Sequence, residues 1–193
     1  MNLIITGTSG VGKSFLEEEL EKTGKFYPIP KYTDRPLRSN EDPSKIISLT
    51  NPVFQKLQTQ NNFFFTLSYS GHNYGWAKKD LNKFKNKFAT LAVTLDSLFD
   101  FFKTSQPFLP ILLNIKVDNL FLLKNRLSKR GDNSDQIKTR LSLARNEIKH
   151  IQKYKTLVKK HHGLIFNITD NQTIFTEIIP QITSLPSVQS LLD

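Results

Sequence analysis

The sequence predicts an α/β fold: a parallel sheet covered on both faces by helices. Three observations predict it. Strand-like and helix-like segments alternate along most of the 193 residues. The runs "FATLAVTL" and "FLPILLNIKV" are short, apolar and free of polar alternation, as strands buried on both faces are. The stretch "GTSGVGKS", residues 7–14, sits between an apolar run and an amphipathic segment, at a strand-to-helix junction.

The elements follow in order. Asn2 to Thr6 reads as a strand. A helix starts near Gly12, with Phe15, Leu16 and Leu20 at helical spacing and Gly24 as its stop. "FYPIPKY" is extended, since its two prolines oppose a helix. "YTDRPLRSNEDPSK" is a polar loop, "KIISL" a strand, and "NPVFQKLQTQ" a short helix with Pro52 near its start. "NFFFTLSYSGHNYGW" reads as two strands around a turn at Ser70-Gly71-His72-Asn73. Residues 31–80 therefore have β character and form a small domain inserted in the α/β frame.

Beyond it, "KKDLNKFKN" is expected to be helical, "FATLAVTL" a strand and "DSLFDFFKTS" a helix. After the strand "FLPILLNIKV" comes the helix "DNLFLLKNRLSKRG", with Asp118 as N-cap and Gly131 past its end. "NSDQIKTRLSLARNEIKHIQKY" is one long amphipathic helix, "LIFNIT" a last strand, and "NQTIFTEIIPQI" a helix ended by Pro180.

Composition narrows the function. There is no cysteine, which excludes a disulfide framework and thiolate metal sites. No signal-peptide pattern and no run of 18 apolar residues is present, so the expected location is cytoplasmic, with no membrane partner. The formal charge of +10 favours polyanions, either nucleic acid or a small phosphorylated substrate. The lysines are scattered and no recognition motif accompanies them, which argues against nucleic acid.

Gly7, Gly12, Lys13 and Ser14 satisfy the phosphate-loop pattern G-x-x-x-x-G-K-[ST]. The glycines let backbone N–H groups wrap a polyphosphate, and the helix N-terminus adds favourable partial charge. Lys13 is placed to reach the β- and γ-phosphates and Ser14 to bind Mg²⁺, while Ser9 and Gly10 lengthen the nest. The expected ATP-binding set is Gly7, Thr8, Ser9, Gly10, Val11, Gly12, Lys13, Ser14 and Phe15. Arg35 and Arg38, stiffened by Pro36, suit capture of a second phosphate, although a lone pair of this kind is more often solvated surface. Arg126, Arg130, Arg140 and Arg145 punctuate a helix-loop-helix that can fold over a nucleotide, or stay an exposed basic hairpin.

Taken together, "GTSGVGKS", "TDRPLRSNE", "NYG" and "RLSKRGDNSDQIKTRLSLARNE" resemble, in order, the guanylate kinase family of P-loop kinases. The resemblance spans about residues 2–180. It implies a P-loop NTPase three-layer α/β/α sheet with a small β-rich acceptor domain and a helical arginine lid. The implied division is a core of residues 1–30, 81–125 and 146–193, an acceptor-binding insertion at about 31–80 and a lid at about 126–145. It implies catalytic roles for Lys13, Arg130, Arg140 and Arg126, and an acceptor-phosphate clamp of Arg35, Arg38 and Tyr74. Asn167 is implied beside the ATP adenine and Asp96, after a buried strand, beside the Mg²⁺ water.

The departures concern the acceptor base. Lys31 stands where the family has a guanine-reading serine, Phe65 where it has a guanine-accepting glutamate, and Trp76 where it has Ser or Thr. A phosphate-binding tyrosine is missing near Ile47, and Asp34 replaces a threonine before Arg35. Phe65 and Trp76 are thus expected at the acceptor pocket. The implied activity is Mg²⁺-dependent transfer from ATP to a small phosphorylated acceptor, with altered base recognition. Segments such as "IISL" and "FFFTLSYSGHNYG" are also similar to ribose 1,5-bisphosphate phosphokinases, whose acceptor has no base. A binding module without turnover is a third reading, opposed by the retention of Lys13, Ser14 and the lid arginines.

Overall fold

The computed structural model describes residues 1–39, 41–81, 83–84, 86–129, 131–170 and 172–190. Among them the strands are β1 (Asn2–Gly7), β2 (Phe26–Pro28), β3 (Lys31–Thr33), β4 (Ile46–Ser48), β5 (Phe63–Tyr69), β6 (His72–Ala77), β7 (Phe88–Ala92), β8 (Phe108–Ile115) and β9 (Leu164–Ile168). The helices are α1 (Lys13–Lys22), α2 (Asn51–Thr59), α3 (Ser97–Phe101), α4 (Leu120–Lys129), α5 (Ser134–Lys149), α6 (Ile151–Lys160), α7 (Ile179–Thr183) and α8 (Pro186–Gln189). No helix among the described residues is long and apolar enough to cross a membrane.

The strands form two sheets. The first, β2-β7-β1-β8-β9, is parallel at every pairing. Its period-2 side chains build a core on each face. Leu3 and Ile5 of β1 pack with α1 and α4 residues on one face, while Ile4 packs with α3 and α6 residues on the other. The second sheet, β4-β3-β6-β5, is mixed and carries α2, whose Phe54 packs on Phe63 and Tyr32. "FYPIPKY" therefore serves both sheets, with β2 in the first and β3 in the second.

Five local expectations are corrected. The hairpin turn is Ser70-Gly71 alone, so His72 and Asn73 belong to β6. Among the described residues of "KKDLNKFKN" the helical part is a 3₁₀ turn, Lys78–Asp80. The Tyr27 hydroxyl donates to the Asp80 and Leu81 carbonyls there, which satisfies them without a helix. Asp118 lies inside a 3₁₀ turn, Val117–Asn119, and does not cap α4. The long amphipathic run breaks at His150 (φ −103°, ψ 11°) into α5 and α6. Pro180 does not end the last helix. A π-helical stretch, Ile174–Ile178, precedes it and α7 continues to Thr183, because the wider turn accommodates a ring with no N–H to donate.

Candidate active site

The C-terminal ends of the parallel strands open into a cleft of about 1380 Å³ between the two sheets. Its floor is the loop between β1 and α1. At Gly7 (φ +151°) a Cβ would sit 2.5 Å from the Leu113 carbonyl oxygen of the neighbouring strand. Gly12 (φ +113°) starts α1 in the left-handed region. Both positions need glycine, one for close approach and one for backbone direction.

Gly7, Ser9, Gly10, Gly12, Lys13, Ser14 and Phe15 line the cleft. Thr8 and Val11 face inward, 1% and 0% exposed. The Lys13 Nζ donates to the Gly7 and Thr8 carbonyls at 2.7 and 2.9 Å. It thus rests on the loop that would cradle the phosphates. At the same end of the cleft, Phe15 and Phe175 meet edge to face, ring centroids 5.5 Å apart. Phe175 was not singled out by sequence, since it reads as one more apolar residue of the last helix.

Two of the arginines expected in a lid reach the loop. The half-buried Arg126 donates to the Val11 carbonyl at 2.6 Å, and burial holds its pKa below the usual arginine range. Arg140 donates to the Ser9 hydroxyl at 2.7 Å, with Asp132 3.5 Å from its Nε. Arg130 lies outside the described residues.

Across the cleft, the Arg35 Nη2 donates to both carboxylate oxygens of Glu41, at 2.7 and 2.8 Å, and its Nη1 to the Pro36 carbonyl at 2.6 Å. The Arg38 guanidinium is 3.5 Å from the same carboxylate and its backbone N–H donates to it at 2.9 Å. One carboxylate thus holds both guanidinium groups, as an anion of similar size could. Burial alone would raise the Glu41 pKa; the bonds from Arg35 and Arg38 outweigh it and hold it below the usual range. Tyr74 lines the cleft beside Arg35. Asp34 sets this loop in place. Its carboxylate, 6% exposed, accepts from the Asn73 backbone and side-chain amides and from Asn51. His72, 3.5 Å from Asp34, is a partner of that carboxylate at the cleft wall.

Three expected residues are placed elsewhere or differently. Phe65 is 5% exposed and does not line the cleft; it stacks behind Trp76 and meets Phe101 edge-on. A bulge between Phe63 and Phe65 sends these two to opposite cores. Trp76 does form part of the cleft wall. Asp96 lies outside the cleft lining, with its carboxylate on the Tyr154 hydroxyl and 3.6 Å from Lys153. Asn167 is turned to Asn114, whose amide donates to it at 2.6 Å, and is also outside the lining.

Among the carboxyl groups that line the cleft without being flagged by the sequence, two are buried enough to have raised pKa values. Glu17, one turn along α1 from Lys13, is 9% exposed, and burial pushes its pKa up to about 7. Glu147 on α5 is likewise pushed to about 7, by burial and against the pull of Lys13. Their chemistry comes from tertiary surroundings, so no local pattern announces it.

A glycine loop of the phosphate-binding pattern, a facing pair of arginines on one carboxylate and two further arginines reaching the loop, all set at the strand ends of one parallel sheet, define a kinase of the P-loop class. The guanylate kinase family model matches residues 1–162. A guanylate kinase from Mycoplasma genitalium is 29% identical over 160 residues, covering 80% of this chain and 67% of that protein. One from Thermus thermophilus is 28% identical over 159 residues, covering 80% and 71%. The crystal structure of guanylate kinase from Anaplasma phagocytophilum shares the fold, with a TM-score of 0.66 and 17% identity over 100% of this chain and 93% of that one. The chain belongs to the guanylate kinase family and is an ATP-dependent kinase.

Proposed function

We propose that this kinase moves the γ-phosphoryl group of ATP to the phosphate of a nucleoside monophosphate whose base is not read in the family's usual way. The observation that carries the reading is the pair of anion-holding sets facing one cleft: Lys13, Arg126 and Arg140 at the loop, and Arg35, Arg38 and Tyr74 opposite. An acceptor phosphate oxygen attacks the γ-phosphorus, the bond to the β–γ bridging oxygen breaks, and ADP leaves. The arginines and Lys13 stabilise charge on the oxygens in flight, and the lid excludes water.

Magnesium fits this site as an ion carried by the nucleotide. The exposed Ser14 hydroxyl faces the cleft, and no cluster of three His, Cys, Asp or Glu among the described residues forms a cage. Ser14 would hold the ion, which neutralises phosphate charge when bound; Asp96 is not aimed at it. The residue roles and the division into core (1–30, 81–125, 146–193), insertion (31–80) and lid (126–145) are part of this proposal.

A second reading is favoured by one observation. The small sheet offers no carboxylate at Phe65, which fits a base-free acceptor such as ribose 1,5-bisphosphate. The test is ADP release with Mg·ATP and GMP, UMP, AMP, CMP or ribose 1,5-bisphosphate, each against Lys13→Ala. A nucleotide that raises ADP well above the control supports the first reading. The sugar bisphosphate alone doing so selects the second, and no acceptor doing so removes both.

A further inference from the structure

We propose that Glu17 and Lys31 read the acceptor, and that the group they read is the lactam edge of a keto base: carbonyl oxygen to Lys31, ring N–H to Glu17. The inference rests on the nucleoside monophosphate reading above and deepens it.

Two paths through the structure lead to the same place. On β3 and β6, Thr33 lies opposite Tyr74 and Lys31 opposite Trp76. Lys31 and Trp76 are therefore two residues, about 7 Å, along the same face from the phosphate clamp. On α1, Glu17 is four residues from Lys13 on the same face, about 6 Å from the phosphate loop. The paths converge, because Glu17, Lys31 and Trp76 line the same cleft as Arg35, Arg38 and Tyr74, and Lys31 is the cation that acts most strongly on Glu17. A phosphate held by Arg35, Arg38 and Tyr74 leaves the far end of its molecule between these two side chains.

The local chemistry is that of a reader waiting for a ligand. Glu17 lines the cleft although it is more than nine-tenths buried, and it makes no ion pair among the described residues. The buried Thr90 hydroxyl beside it acts on the carboxyl, whose two oxygens keep acceptor capacity for a further donor. A buried carboxyl in this position gains from an N–H donor. Lys31, its Nζ 5.8 Å from the centre of the Trp76 ring, offers donors only. A side-by-side acceptor and donor match guanine, uracil, thymine or hypoxanthine. They mismatch adenine and cytosine, whose amino groups would point at the ammonium. The acid absent from the small sheet at Phe65 is thus replaced from the core helix.

The test is calorimetric titration of the full chain, without ATP, with GMP, UMP, AMP, CMP and ribose 1,5-bisphosphate. GMP and UMP are expected to bind about tenfold or more tightly than AMP and CMP. Glu17→Leu is expected to erase that preference, Glu17→Gln to restore part of it, and Lys31→Met to weaken the keto acceptors. ATP affinity should stay within about twofold in all three variants, a pattern that a merely structural role does not give. Equal binding of all bases, preference for an amino base or the sugar bisphosphate, or a Glu17→Leu variant with unchanged keto affinity overturns the inference. Selective binding without acceptor-dependent ADP release would overturn the proposed activity and leave this inference standing. Turnover with an unchanged Glu17→Leu preference would do the reverse.

Discussion

Glu41 sets the terms on which the clamp can work. It already gives Arg35 two charge-assisted bonds, so under the proposed function an incoming acceptor phosphate must displace a carboxylate. The two arginines differ in burial: the Arg35 side chain is 13% exposed and that of Arg38 41%. A half-solvated guanidinium loses much of its pull to water, and a buried fork does not. Arg35→Ala should therefore raise the acceptor KM about 30-fold and Arg38→Ala about threefold, with the ATP KM unchanged in both. Equal effects in steady-state kinetics would show that burial does not rank them. Lys13→Ala should cut kcat by about a hundredfold or more while its melting temperature stays near wild type, since its bonds to the Gly7 and Thr8 carbonyls go to a loop whose shape the glycines set. These residues were legible in the sequence because their spacing is local. Glu17 was not, because a glutamate in "KSFLEEELEK" looks like one more solvated helix residue until α1 packs on β2 and β7. Asp96 misled for the related reason that a carboxylate after a strand can face either way, and Tyr154 decides which.

At the scale of elements, periodicity carried the order of strands and helices, and tertiary contacts decided where they end. The amphipathic pattern runs unbroken from Ser134 to Tyr154, without glycine or proline, yet the chain turns at His150. The lysine-rich 78–86 segment has helical spacing, but Tyr27 and Tyr32 claim the polar groups of Asp80. The start of α5 is the reverse case, where a local signal governs. Asn133 accepts from the Gln136 backbone at 2.9 Å and the Gln136 side chain accepts from the Asn133 backbone at 3.0 Å, a full capping box. This cap orients the helix that carries Arg140 to Ser9. Asn133→Ala should cost about 1 kcal/mol, read as a fall of about 2–4 °C in melting temperature. It should also lower kcat more than it raises either KM, because the helix that carries Arg140 then frays from its first turn. A variant with unchanged kcat would separate the cap from the placement of Arg140.

For the molecule as a whole, net charge and buried charge make opposite demands on pH. With a formal charge of +10 and a sequence pI near 9.7, self-repulsion alone would let stability rise steadily from pH 5 towards alkaline pH. The cleft carboxyls argue otherwise. Glu17 titrates near 7 in the folded chain against an ordinary value of 4.5, chiefly through burial, and Glu147 behaves alike. Between those values the folded state holds more protons than the unfolded one, so stability falls as pH rises from about 4.5 to 7 and is flat above. For Glu17 the loss is on the order of 3 kcal/mol. Asp34, Glu41 and Asp170 have lowered values, and the stability they add is lost only as pH drops below their ordinary range, near 4. The two trends together place the maximum near pH 5, far from the pI. Urea unfolding of the ligand-free chain should give a higher free energy at pH 5 than at pH 7.5, and Glu17→Gln should flatten the difference by removing one titrating proton. A curve that climbs from pH 5 to 7.5 would mean that the cleft carboxyls are solvated and ionised throughout. It would also remove the desolvation on which an empty, waiting Glu17 depends.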